Sequence, residues 1–195
     1  MARIVIADAG PLIALARIGQ LELLPGLFGE IAITSQIASE LVDGGPFPDS
    51  PALAAALSQT WLKTIDLTHG LASGQAADPL ALCRDLMNLH QIDLGEASAL
   101  VYAARCNLQD DLALLVIDDF RGRTAATHER VAIIGTAGLL LLAKQTGRVQ
   151  AVKPLLMALR QSGYFLSDRL MDAALLSAAE LGAADAFGGQ ASDSG

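Results

Sequence analysis

Apolar positions along this chain fall into two kinds of run, and the two alternate. Short unbroken runs such as Ile4-Val-Ile-Ala7 and Leu112-Ala-Leu-Leu-Val-Ile117 have the length and aliphatic content of strands buried on both faces. Residues 3–7 read as the first such strand. Pro11 suits the first turn of a helix running to about Ile18, with Gly19 as its stop. A second short helix is expected over Leu21–Leu27 and a short strand at Ile31-Ala-Ile33. Thr34 or Ser35 then caps a helix to about Gly44, with Ile37, Leu41 and Val42 inward.

The run Gly44-Gly-Pro-Phe-Pro-Asp-Ser-Pro51 breaks the pattern. Helix 52–58, strand 61–65, a polar loop over 66–78 and helix 79–90 follow. Asp93-Leu-Gly-Glu96 starts a helix reaching about Cys106, and residues 112–117 make the second clear central strand. Helix 121–129, strand 131–134 and helices near 136–146, 151–161 and 167–181 complete the alternation. The tail from Gly182, rich in Ala, Gly, Ser and Asp, is expected to be disordered. This is βα alternation with a helical C-terminal extension, expected to form one domain over residues 1–181 around a central parallel sheet.

Composition changes the picture little. A chain of 195 residues can bury a large core, and with only eight aromatics that core is mostly Ala, Leu, Ile and Val. Cys83 and Cys106 form no CxxC pattern and fit a reducing compartment. Arg3 is followed at once by a strand and Asp8, which does not read as a signal peptide. The longest mostly apolar run, Val131 to Ala143, has 13 residues and two glycines. A bilayer needs roughly 20. A soluble, cytoplasmic protein is the expectation.

Charge distribution matters more than its sum. The net charge of −8 argues superficially against a nucleic-acid partner. Residues 1–120 hold 15 acids and 5 bases, residues 121–169 hold 2 acids and 8 bases, and residues 170–195 hold 4 acids and no base. The middle block of +6 can meet a phosphate backbone or an acidic protein, or can simply be solvated helix faces. Arg121 and Arg123 stand apart because they directly follow Asp118-Asp119.

Four acidic positions carry the candidate chemistry: Asp8, Glu40, Glu96 and the pair Asp118–Asp119. Asp8 and Asp118-Asp119 close the two central strands, and in open α/β sheets such strand ends face one crevice. Carboxylates sharing a crevice repel unless a divalent cation sits among them. Each acid also has an ordinary structural use. Asp8 can form an Asx-turn, Glu40 can be a solvated helix residue, and Asp93-x-x-Glu96 fits a capping box. One geometry can serve Glu96 in both roles, since a capping carboxylate also lies at a helix N-terminus. Two adjacent acids at the end of a buried strand repel, whereas a turn needs one.

The order of these signals resembles PIN-domain nucleases. Ile4-Val-Ile-Ala-Asp8-Ala-Gly-Pro-Leu-Ile-Ala-Leu15 is similar to the family's opening, Leu94-Gly-Glu96-Ala-Ser-Ala-Leu-Val-Tyr-Ala-Ala104 to its acid and alanine-rich helix, and Leu115-Val-Ile-Asp-Asp119 to its last acidic strand end. Asp118-Asp-Phe-Arg-Gly-Arg-Thr-Ala-Ala126, the segment from Gly135 to Gly147, Val152-Lys-Pro-Leu-Leu and Leu159-Arg-Gln-Ser-Gly-Tyr-Phe-Leu-Ser167 resemble an uncharacterised bacterial PIN-like subfamily. Members are often toxin-like halves of toxin–antitoxin pairs, of the VapC type. The resemblance covers about residues 3–181.

It implies a three-layer α/β/α fold with a parallel sheet and an acidic pocket for Mg²⁺ or Mn²⁺. It also implies RNA phosphodiester cleavage, with an antitoxin protein and a second copy of the chain as partners. By position, Asp8, Glu40, Glu96 and Asp119 match the acidic set, and Asp118 is an extra carboxylate that can replace or assist Asp119. Asp8, Glu96, Asp118 and Asp119 are the expected metal ligands, and Arg121 or Arg123 the expected phosphate contacts. The segment 44–90 is an insertion relative to minimal toxins of the family.

Residue chemistry agrees with that set. Hard oxygen donors suit Mg²⁺ and Mn²⁺, while the three histidines show no zinc-like spacing. Other carboxylate chemistries fit less well. A haloacid-dehalogenase-like phosphatase would need an Asp where Gly10 stands, Asp-Ala-Gly-Pro supplies no GxGxxG, and Gly135-Thr-Ala-Gly138 lacks the P-loop lysine. The rival is a catalytically weak PIN-like module that engages an antitoxin or another protein. The complete acid set favours the enzyme, while sparse aromatics and net negative charge favour the module.

Overall fold

The unbroken aliphatic runs become neighbouring central strands. The structure is a computed structural model that describes residues 3–43, 50–68, 78–109 and 111–180. Five strands, β1 (Arg3–Ala7), β2 (Ile31–Thr34), β3 (Leu62–Ile65), β4 (Leu112–Val116) and β5 (Ala132–Ile134), form one parallel sheet in the order β3-β2-β1-β4-β5. β1 and β4 pair along their full length, from Arg3 opposite Leu112 to Ala7 opposite Val116. Ile6, Ala7, Leu115 and Val116 are fully buried, as a strand covered on both faces requires. On the edge strand β3, Lys63 and Thr64 are exposed.

The helices are α1 (Ala9–Arg17), α2 (Leu23–Phe28), α3 (Ser35–Asp43), α4 (Ser50–Leu57), α5 (Pro79–His90), α6 (Leu94–Leu108), α7 (Phe120–His128), α8 (Thr136–Gln145), α9 (Lys153–Gln161) and α10 (Asp168–Ser177). The sheet and the helices that flank it make a three-layer α/β/α fold. Ile37 and Leu41 of α3 are buried, but Val42 is 66% exposed, which corrects its inward assignment. Ile37 and Leu41 are one turn apart on one face, whereas residue 42 lies about 140° around the helix from 37. The expectations for residues 44–49, for 69–77 of the polar loop and for the tail from 182 fall outside the described residues.

The chain divides into two compact units, Met1–Thr136 and Ala137–Gly195. The sheet lies in the first. The second carries a polar staple at Glu180. The Glu180 carboxylate accepts from the backbone N–H of Val152 (2.6 Å) and Lys153 (2.8 Å), which open α9, and from Lys144 Nζ (2.7 Å). Lys144 also donates to the Ala178 carbonyl. No side chain at the N-cap of α9 does this work, so Glu180 supplies the acceptor from afar.

Candidate active site

β1 and β4 are adjacent, and from that junction the strand order runs outward in both directions. This is the switch point at which an open α/β sheet leaves a crevice beyond its strand ends. Asp8 leaves β1 there, with its N–H on the Val116 carbonyl at 3.0 Å. Asp118 and Asp119 leave β4. The three helices that start nearby are each capped by an aspartate. Asp8 accepts from Gly10 N–H on α1 (3.4 Å), Asp93 from Glu96 N–H on α6 (2.8 Å), and Asp119 from Arg121 N–H (2.7 Å) and Gly122 N–H (3.3 Å) on α7. Helix N-termini favour negative charge, so the caps both orient these carboxylates and make their crowding tolerable.

Glu96 closes the expected capping box, its Oε2 accepting from Asp93 N–H at 3.1 Å. Its other oxygen lies against α7. A Cβ built on Gly122 would stand 2.6 Å from Glu96 Oε1 and 2.4 Å from Ile117 Cδ1, so only glycine lets α7 approach this closely. On the other side, a Cβ on Gly95 would meet Glu40 Oε2 at 2.9 Å and Asp93 Oδ1 at 3.3 Å. Glu40 and Asp93 therefore converge on one glycine. A buried hydrogen-bond chain fixes α3 to α6 nearby. Ser98 Oγ donates to the Gly95 carbonyl (2.7 Å), which leaves Thr34 to donate to Ser98 Oγ (2.6 Å) while accepting from Ile37 N–H.

The electrostatics follow from this crowding. Asp8 and Glu96 are buried, 7% and 5% exposed. Burial first, and then the charges of Glu96 and Asp93, push Asp8 up to about 7. Burial also pushes Glu96 up to about 7, against the Asp93 N–H bond that lowers it and with Asp93, Asp119 and Glu40 adding to the rise. Glu40 is exposed as a residue, yet burial of its carboxyl end and the Asp93 charge raise it too.

The crevice thus gathers Asp8, Glu40, Asp93, Glu96 and Asp119. Asp118 turns elsewhere: both its oxygens accept from Thr136, one from the N–H (2.8 Å) and one from the hydroxyl (2.5 Å). Arg123 Nη1 donates to the Ile117 carbonyl (3.1 Å), and Arg121 Nη1 donates to the Gln91 carbonyl (3.2 Å) from an exposed position. Asp93 is the member that sequence reasoning treated only as a cap. Its signal was present, because whatever places Glu96 at the crevice places its capping partner there as well.

Beside the acids a cleft of about 460 Å³ is lined by Ser35, Gln36, Ser39, Glu40, Asp93, Leu94 and Gly95. Hard oxygen donors at one edge and neutral hydroxyl and amide groups at the other are what a divalent cation and a phosphodiester backbone would use. A family model described as a PIN domain matches residues 4–180. The chain belongs to the PIN-domain family. PIN domains are generally nucleases and typically use divalent metal ions. No curated protein and no solved structure matches the chain. Among the described residues no helix is long and apolar enough to cross a membrane.

Proposed function

We propose that this protein is a divalent-metal-dependent endoribonuclease, the toxin-like component of a toxin–antitoxin pair. The observation that carries the reading is the convergence of Asp8, Asp93, Glu96 and Asp119 on three helix N-termini at the β1–β4 switch point. Two buried acids among them resist ionisation, which is the electrostatic condition of a site waiting for positive charge. The donor set is all carboxylate, which fits Mg²⁺ or Mn²⁺.

Asp8 and Asp119 would hold the ion, with Glu96 and Asp93 beside it and Glu40 at the cleft edge. When bound, the ion supplies Lewis-acid stabilisation of the charge that develops on a phosphodiester. Glu96 is tethered by one oxygen and presents the other toward α7, where it can take up a proton from an attacking water. Ser35, Gln36 and Ser39 would seat the ribose-phosphate chain. Asp118 would act indirectly, by fixing Thr136 behind the crevice. An antitoxin protein and a second copy of the chain are the partners this reading brings, supported by the resemblance of its motifs.

The deciding experiment incubates a mixed RNA pool with wild type, Asp8→Asn and Asp119→Asn in EDTA, Mg²⁺ or Mn²⁺. Metal-dependent cleavage lost in both variants is expected. Cleavage that survives EDTA, or that both variants retain, would overturn the assignment.

A further inference from the structure

The histidines have no metal-like spacing in sequence, but the fold brings two of them together. His90 ends α5 and His128 ends α7, with ring centroids 5.1 Å apart in an edge-to-face arrangement. Glu129, the C-cap of α7, completes a group whose ligand atoms all lie within 4.8 Å of one another. Glu129 Oε1 stands 2.9 Å from His128 Nδ1 and 3.7 Å from His90 Nε2.

Three features mark this as more than a chance meeting. Among the described residues His90 Nε2 is a buried polar atom with no hydrogen-bond partner, on a side chain only 12% exposed. Buried polar atoms are nearly always satisfied, so an orphan aimed at a carboxylate invites a ligand. Two helix C-termini converge here, and their partial negative charge favours a cation. The residues that follow, Gln91 and Arg130, both adopt left-handed φ of 56° and 57°, which non-glycine residues rarely do.

We propose that His90, His128 and Glu129 form a second metal site, chemically distinct from the acidic crevice, that takes zinc. Two imidazoles and one carboxylate are a recurrent zinc ligand set, and they suit a borderline ion better than Mg²⁺. Zinc–ligand bonds of about 2.0–2.2 Å put tetrahedral donors roughly 3.3 Å apart, and the two observed spacings of 2.9 and 3.7 Å bracket that value. Binding leaves the ring proton of His128 on Nε2, so that Nδ1 can donate its lone pair. His128 is 66% exposed, so water can take the fourth position.

Such a clasp would fasten α5 to α7. It would also steady the short segment from His90 to Asp93, from which the Asp93–Glu96 capping box begins. The proposal stands apart from the nuclease reading, and its test does not measure cleavage.

The test titrates metal-stripped full-length protein with zinc chloride in excess Mg²⁺, which keeps hard oxygen sites occupied, and follows uptake by calorimetry. Cobalt(II) serves as the spectroscopic probe of imidazole coordination. Wild type and Asp8→Asn should each bind one equivalent. His128→Gln and His90→Gln should bind roughly 100-fold more weakly or worse, and lose the cobalt ligand-field bands. His128 is exposed, so its variant keeps the fold, which the metal-free melting temperature checks. Equal uptake in wild type and His128→Gln, loss of uptake in Asp8→Asn instead, or no uptake by wild type would each overturn the site.

Discussion

Two carboxylate centres in this molecule use the same backbone device and end in opposite electrostatic states. In the second unit, Glu180 accepts two N–H groups at the start of α9 and also meets Lys144. Burial pushes Glu180 upward, but the lysine and the two amides outweigh it and hold the carboxyl below its ordinary value. In the first unit, Asp8, Asp93, Glu96 and Asp119 are likewise tethered to backbone N–H groups. Burial and neighbouring acids dominate there, and Asp8 and Glu96 rise to about 7. The difference is a cation. Where the chain supplies its own, the carboxylate is a staple. Where, among the described residues, none offsets the burial and crowding, the carboxyls resist ionisation.

The largest effect expected from this contrast is the divergence of two neutralising substitutions. Asp8→Asn should lower metal-dependent RNA cleavage on the order of 10³-fold, the rate equivalent of losing several kcal/mol of metal-derived charge stabilisation. The same change should raise metal-free stability at pH 8 by on the order of 1 kcal/mol or more, since it deletes a charge the fold resists. Glu180→Gln should do the reverse, costing about 1–3 kcal/mol through weakened charge-assisted bonds and leaving cleavage near wild type. Urea titration beside a cleavage assay reads both. A destabilised Asp8→Asn would mean that Asp8 is a structural cap before it is a ligand.

A smaller effect of opposite sign at the two centres lies in pH. Asp8 and Glu96 have ordinary values of 3.8 and 4.5 and stand at about 7 in the fold. Their favourable contribution is complete below the ordinary carboxylate range and is lost as pH rises to about 7, because the unfolded chain releases those protons first. Glu180 is lowered instead, so its contribution is present above 4.5 and is lost as pH falls through its folded value. Metal-free protein should therefore weaken between about pH 4 and pH 7, and Mn²⁺ should restore more stability at pH 8 than at pH 5. Melting curves across that range, with and without Mn²⁺, check this. A flat profile in metal-free wild type would remove the crowding argument.

Most of this fold was legible because its strands are buried on both faces and its helices carry their own punctuation. The aliphatic runs ending at Ala7 and Ile117, Pro79 opening α5 and the Asp93–Glu96 box each encode an element locally. Val42 was misplaced because a short apolar cluster does not say which of its members the helix turns inward. The acids were legible as strand ends and helix starts facing one crevice, but the contacts among them were not. That Glu40 meets Asp93 across Gly95, or that Gly122 admits Glu96, depends on helix approach distances that no spacing encodes. The His90–His128 meeting is the extreme case, because it joins two helix ends with no local signal at either.

The smallest expected effect separates Asp118 from Asp119, and it tests whether adjacent acids have divided the two roles seen at the two centres. Asp119 caps α7 through Oδ1, and asparagine is as good a cap. Asp119→Asn should therefore hold stability within a few tenths of a kcal/mol while cleavage falls by 100-fold or more, as for loss of a ligand charge. Asp118 accepts twice from Thr136, and an asparagine can keep the N–H bond and reverse the hydroxyl bond. Asp118→Asn should then cost about 0.5–1.5 kcal/mol and reduce cleavage less than tenfold. Parallel melting and cleavage measurements on the two variants decide the matter. If Asp118→Asn abolished cleavage at unchanged stability, the ligand would be Asp118, and Thr136 would be the group that aims it.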